Sequence, residues 1–66
     1  MKPYCLIIIK DQKLRFEYYF EYKAALKRAY NLQNEYRDEE MELIVYRTED
    51  KEICFTYRQV GEEDEE

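Results

Sequence analysis

"EYKAALKRAYNLQNEYR", residues 21–37, is the stretch on which the fold turns. Tyr22, Ala25, Leu26, Ala29, Leu32 and Tyr36 recur at helical spacing and form one apolar stripe. Lys23, Lys27, Arg28, Asn31 and Asn34 fall on the opposite face. No good N-cap residue precedes the segment, and an acidic run rather than a glycine follows it, so its end lies somewhere in residues 37–40. The charge also runs against the helix macrodipole, with bases in the first half and Asp38, Glu39, Glu40 and Glu42 at the end. Opposing the dipole costs roughly 0.3–1 kcal/mol per exposed charge. Packing of the apolar stripe outweighs that cost.

On either side of the helix the period changes to two. Residues 4–10, "YCLIIIK", are apolar on both parities, as in a strand covered on both faces. Residues 13–20, "KLRFEYYF", alternate: Leu14, Phe16, Tyr18 and Phe20 against Lys13, Arg15, Glu17 and Tyr19. Asp11-Gln12 is just long enough for a hairpin turn, although the favoured Asn-Gly or Asp-Gly is absent. Residues 41–48, "MELIVYRT", again place apolar side chains on both parities. After a turn at Glu49-Asp50-Lys51, residues 52–58 alternate, with Ile53, Phe55 and Tyr57 opposed to Cys54, Thr56 and Arg58.

The order is β-β-α-β-β, an α+β domain in which one helix covers one face of a four-stranded antiparallel sheet. The doubly apolar first and third strands belong in the middle and the alternating ones at the edges, which gives the order 2-1-3-4. On this reading Phe16, Tyr18, Phe20, Phe55 and Tyr57 face the helix. The uncovered face carries Ile7, Ile9, Tyr19, Ile44 and Tyr46, and an apolar aromatic patch of that kind marks an interface. A homodimer joined through this face, or edge to edge as a continuous sheet, is expected.

Sixty-six residues make one domain, 1–60, near the lower limit for folding without staples, followed by an acidic tail, 61–66, expected to be disordered. There is no histidine, and Cys5 and Cys54 stand far apart with no ligand cluster, so neither a metal nor a cofactor is expected. Both thiols are expected reduced and packed as small apolar residues. The apolar run Cys5–Ile9 is too short to span a membrane, and a cytoplasmic protein is expected. No glycine-rich phosphate loop and no nucleophile–base pair can be picked out by spacing, so no enzyme activity is expected and no catalytic residue is assigned.

Two charged surfaces remain as candidate sites. Lys23, Lys27 and Arg28 form a basic helix face that a nucleic acid or anionic ligand would use, though the chain is net acidic at −5. The larger set is acidic: Asp38, Glu39, Glu40 and Glu42 at the helix–strand junction, with Glu49, Asp50 and Glu52 in the last hairpin. These two acidic groups need not share a surface in one copy, but dimerisation can line them up as negative rows able to occupy a basic protein. In size, acidity, α+β make-up and absence of catalytic residues the chain resembles small phage-encoded host-takeover proteins, among them DNA mimics that inhibit HU-type nucleoid proteins. The resemblance implies a non-enzymatic inhibitor in the host cytoplasm with a basic DNA-binding protein as partner and the carboxylates as contacts. A structural or regulatory subunit is the remaining alternative.

Overall fold

The computed structural model describes residues 2–61, which include Gly61 but otherwise leave the acidic tail outside the described residues. The elements are β1 (Tyr4–Lys10), β2 (Lys13–Tyr19), α1 (Tyr22–Glu35), β3 (Met41–Arg47) and β4 (Ile53–Gln59). The sheet is antiparallel throughout in the order β2-β1-β3-β4, with the two doubly apolar strands in its centre.

One helix on one face makes a one-sided core. Leu6 and Ile8 from β1, Met41, Leu43 and Val45 from β3, and Ala25, Ala29 and Leu32 from α1 are buried together. Alanines at two of the three buried helix positions let the helix backbone approach the sheet closely. Tyr4, Tyr19, Tyr22, Tyr36, Phe55 and Tyr57 ring this core, half-buried. The Tyr4 and Tyr22 rings lie 5.6 Å apart, and the Tyr22 hydroxyl donates to the Cys54 carbonyl at 3.2 Å, which fixes the start of α1 against the sheet. Rings with a polar tip suit this border, where one end is dry and the other wet.

The helix is shorter than its pattern. It ends at Glu35, and Tyr36 closes it by donating its amide to the Leu32 carbonyl at 2.9 Å. The acids at 38–40 therefore lie beyond it. No side chain caps its N-terminus, and neither end carries a compensating charge of its own. Other elements finish the C-terminus instead. The Gln59 side-chain amide, from β4, donates to the carbonyls of Tyr36 and Glu39, while its oxygen accepts from the Tyr57 hydroxyl at 2.9 Å. Lys10, from β1, sits 4.6 Å from the centre of the Tyr36 ring and binds Glu39 at 2.7 Å.

Both hairpins use residues of unfavoured conformation. Asp11 (φ 56°) and Gln12 (φ 63°) occupy the left-handed region in a two-residue turn, the type I′ geometry that Asn-Gly would adopt more easily. Lys51 (φ 60°) does the same in the second hairpin, where its amide donates to the Arg47 carbonyl at 2.8 Å. That hairpin is irregular: Val45 pairs with Phe55 but Tyr46 with Ile53, so β4 carries an extra residue there.

Candidate interaction surfaces

The first hairpin overturns the expected faces of β2. A two-residue turn that pairs Lys10 with Lys13 always sets an even position of β1 opposite an odd position of β2. Leu6 and Ile8 face the helix, so their partners Glu17 and Arg15 face it too. Phe16 opposes Ile7, Tyr18 opposes Cys5 and Leu14 opposes Ile9, which puts the apolar stripe of β2 on the uncovered face. Phe16 and Tyr18 are thus not core residues, and Phe20, beyond the strand, is 65 % exposed. Tyr19 moves the opposite way: it pairs with Tyr4 and packs against the core, so it does not belong to the uncovered face.

That face is built of three rows. Across the middle run Phe16, Ile7, Ile44 and Thr56; below them lie Tyr18, Cys5, Tyr46 and, past the irregularity, Ile53. The top row runs Leu14, Ile9, Glu42 and Arg58. Ile7, Ile9, Ile44 and Tyr46 are where the pattern of the middle strands put them. With a strand spacing of about 4.8 Å and a rise of about 3.4 Å per residue, four seven-residue strands give a footprint of roughly 450 Å². Glu42, Arg58 and Thr56 take up part of that footprint, and the apolar remainder is of the order of the largest patches on soluble monomers, which are often functional. Leu14, Phe16, Tyr18 and Ile53 are each half or more exposed.

On the helix side, β2 is polar, and the polarity is used. Arg28 reaches from α1 to Glu17, Nε to Oε1 at 3.0 Å and Nη2 to Oε2 at 3.3 Å, and the Tyr19 hydroxyl donates to the same carboxylate at 2.6 Å. Burial pushes the Glu17 carboxyl up, but hydrogen bonds from Arg28 and Tyr19 outweigh it and hold the group below the usual carboxylate range. Burial and the bond to Glu17 push the Tyr19 phenol up to about 12. The basic helix face thereby loses a member: Arg28 is committed to Glu17, and Lys23 and Lys27 remain exposed. Tyr22, which bordered that face in the sequence, is packed against the core, while exposed Tyr30 stands edge-on to Phe55 at 6.3 Å.

The acids divide between the two ends of the sheet. Asp38, Glu39 and Glu40 lie in the α1–β3 connection and Glu42 at the start of β3, the end that also holds the Asp11 turn. Gly61 leaves the described chain at this same end: a Cβ there would stand 3.2 Å from the Glu40 nitrogen. Lys10 binds Asp11 at 2.9 Å and Glu39 at 2.7 Å, and those bonds hold its ammonium above the usual lysine range. Glu49, Asp50 and Glu52 sit at the opposite end. Arg47 binds Asp50 at 2.7 Å and Glu52 at 2.9 Å, and its hydrogen bonds hold Asp50 below the usual carboxylate range.

Each end also has an open hollow on or beside the uncovered face. One, of about 490 Å³, is bordered by Asp11, Glu40 and Glu42 with Lys10 and Arg58. The other, of about 520 Å³, is lined by Lys2, Tyr18, Tyr46, Thr48 and Lys51, with no acid among them. Lys2 is held there by its position 5.3 Å from the Phe20 ring centre and by Thr48, which bonds the carbonyls of Lys2 and Pro3.

Cys5 is buried, as expected of a packed thiol, but Cys54 is exposed, because the extra residue in β4 takes it out of the regular alternation. Among the described residues no three His, Cys, Asp or Glu side chains converge as metal ligands, and no helix is long and apolar enough to cross a membrane. No family model matches the chain, and no curated protein or solved structure matches it significantly.

Proposed function

We propose that this is a non-enzymatic binding protein that works as a homodimer joined through its uncovered sheet face. One observation carries this reading: Leu14, Phe16 and Tyr18 point away from α1, the only helix among the described residues. A strand whose polar residues face the helix and whose apolar residues face outward is patterned for a partner on the outer side. Edge-to-edge joining is disfavoured, since β2 carries Lys13, Arg15 and Glu17 and β4 is irregular, both features that blunt an edge.

A basic protein partner, of the DNA-binding kind, is the second part of the proposal. It is favoured by the gathering of Asp38, Glu39, Glu40 and Glu42 at one end, where Lys10 answers Asp11 and Glu39 but no ion pair binds Asp38, Glu40 or Glu42 among the described residues. Both parts are tested by mass in solution, followed by binding to a purified basic DNA-binding protein with duplex DNA as competitor. Dimer formation, and loss of capture on replacing Asp38, Glu39, Glu40 and Glu42 by their amides, are the expected results. A monomer at about 100 µM, a concentration that populates even weak dimers, sinks the first part. Capture that survives the amide substitutions sinks the second.

A further inference from the structure

The hollow beside the second hairpin is lined by two lysines, two tyrosines and a threonine, and its volume of about 520 Å³ is that of a small-molecule site. Taken whole, this end of the sheet is neutral: Lys2, Arg47 and Lys51 stand against Glu49, Asp50 and Glu52. Placement, not net charge, sets the hollow apart. Arg47 binds both Asp50 and Glu52, at 2.7 and 2.9 Å, so those two carboxylates already have their cation. Glu49 is the remaining acid of the hairpin, and it does not line the hollow. Lys2 and Lys51 do line it, and neither enters an ion pair among the described residues.

Both lysines are fixed through their backbones. Thr48 donates from its hydroxyl to the Lys2 carbonyl at 3.3 Å and from its amide to the Pro3 carbonyl at 2.8 Å. The Lys51 amide donates to the Arg47 carbonyl at 2.8 Å. The wall between them is aromatic. Tyr18 and Tyr46 flank Cys5 across the sheet, and Cys5 is fully buried although it belongs to the uncovered face. The Tyr46 phenol is held above its ordinary value, first by its hydrogen bond with the Cys5 thiol, so at neutral pH it meets an anion as an uncharged hydroxyl. Tyr18 stays half exposed and offers ring surface to a ligand.

Two ammonium groups on one hollow match a dianion, and a phosphate group carries about 1.5 to 2 negative charges at neutral pH. Tyrosine walls suit a planar ring, which stacks offset or edge-on. We propose that this hollow binds a small aromatic phosphate, its ring against Tyr18 and Tyr46 and its phosphate between Lys2 and Lys51. The site is complete within one copy of the chain and does not depend on the dimer proposed above.

Phenyl phosphate is the probe, with inorganic phosphate and phenol for comparison. Amide NMR spectra of the isotope-labelled chain are followed at about 100 µM and about 10 µM protein, because Tyr18 and Tyr46 also lie on the face assigned to the dimer. Shifts should gather at Lys2, Tyr18, Tyr46, Thr48 and Lys51, with phenyl phosphate bound roughly tenfold or more tightly than either comparison compound. Lys2→Gln and Lys51→Asn should each weaken phenyl phosphate roughly tenfold and leave phenol unchanged. Asparagine is tolerated in the left-handed conformation at position 51, and the same spectra report the fold of each variant. Inorganic phosphate binding as well as phenyl phosphate overturns the ring contacts, and phenol binding as well overturns the lysine contacts. No shifts by roughly 10 mM phenyl phosphate at either protein concentration, or shifts at Lys23 and Lys27 instead, overturn the site. A chain that is monomeric throughout and binds phenyl phosphate here overturns the dimer and leaves the site standing.

Discussion

Replacing Gln59 tests how the helix is finished. Its amide donates to the Tyr36 and Glu39 carbonyls and accepts from Tyr57, so Gln59→Ala breaks three bonds at once. The Glu39 bond is exposed and water takes its place; the Tyr36 and Tyr57 bonds are partly buried. At about 0.5–1.5 kcal/mol net for each of those two, the loss is about 1–3 kcal/mol. A domain of this size has only about 3–5 kcal/mol to lose. In urea, with a slope near 1 kcal/mol per molar, the midpoint should fall by about 1–3 M, followed by circular dichroism or by the fluorescence of the tyrosines. Gln59→Glu should be worse at pH 7, by about 1 kcal/mol. It sets a carboxylate against two carbonyls at the negative end of α1, while Lys10, the cation that reaches this end, is already bound to Asp11 and Glu39. Repulsion raises the folded pKa of the introduced carboxyl above its unfolded value near 4.3. Its penalty is therefore full at neutral pH and disappears as pH falls through the folded value, so the gap to Gln59→Ala should close on acidification. If Gln59→Glu proves as stable as the parent at pH 7, the capping role assigned to Gln59 is wrong.

Further outcomes follow from the first turn and from the Glu17 contacts. Gln12→Gly should stabilise the chain by about 0.5–1 kcal/mol, because glycine accepts the left-handed conformation without the cost a side chain incurs; a lowered thermal midpoint would show that the turn is not strained. Glu17, whose folded pKa is depressed, contributes stability present above its ordinary 4.5 and lost as pH falls through the lower folded value. Tyr19, raised to about 12, contributes stability that is complete below pH 10 and lost between there and about 12. Arg28→Ala should therefore flatten the acid limb of a stability–pH profile and cost about 0.5–1 kcal/mol at neutrality, as for a screened ion pair; an unchanged acid limb would refute the pairing.

The inverted charge along residues 23–42 takes on a simpler meaning in three dimensions. Because α1 stops at Glu35, Asp38, Glu39, Glu40 and Glu42 do not lie on its last turn. The cation that its C-terminus lacks comes from Lys10, far away in sequence. The basic half is likewise drawn into the fold, through Arg28 and Glu17. A charge pattern that looks unfavourable along one helix is largely answered across elements.

Periodicity by itself determined the elements, their order and the strand order, because a strand with apolar residues on both parities can only be central, and a 3.6-residue stripe needs one covering partner. It also placed Ile7, Ile9, Ile44 and Tyr46 on the open side, as the other parity of strands whose first parity meets the helix. It could not choose the face of β2. Either parity of an alternating strand looks equally fit for a core, and the choice was made by the two-residue turn, whose register sends Phe16 and Tyr18 outward and Tyr19 inward. Gln59, Lys10 and the Arg28–Glu17 pair were not legible for the same reason: each acts on a residue many positions away, through contacts that exist only once the sheet has set its register. The local alternation of apolar and polar residues is written in the chain; which side of it meets the helix is decided by tertiary pairing.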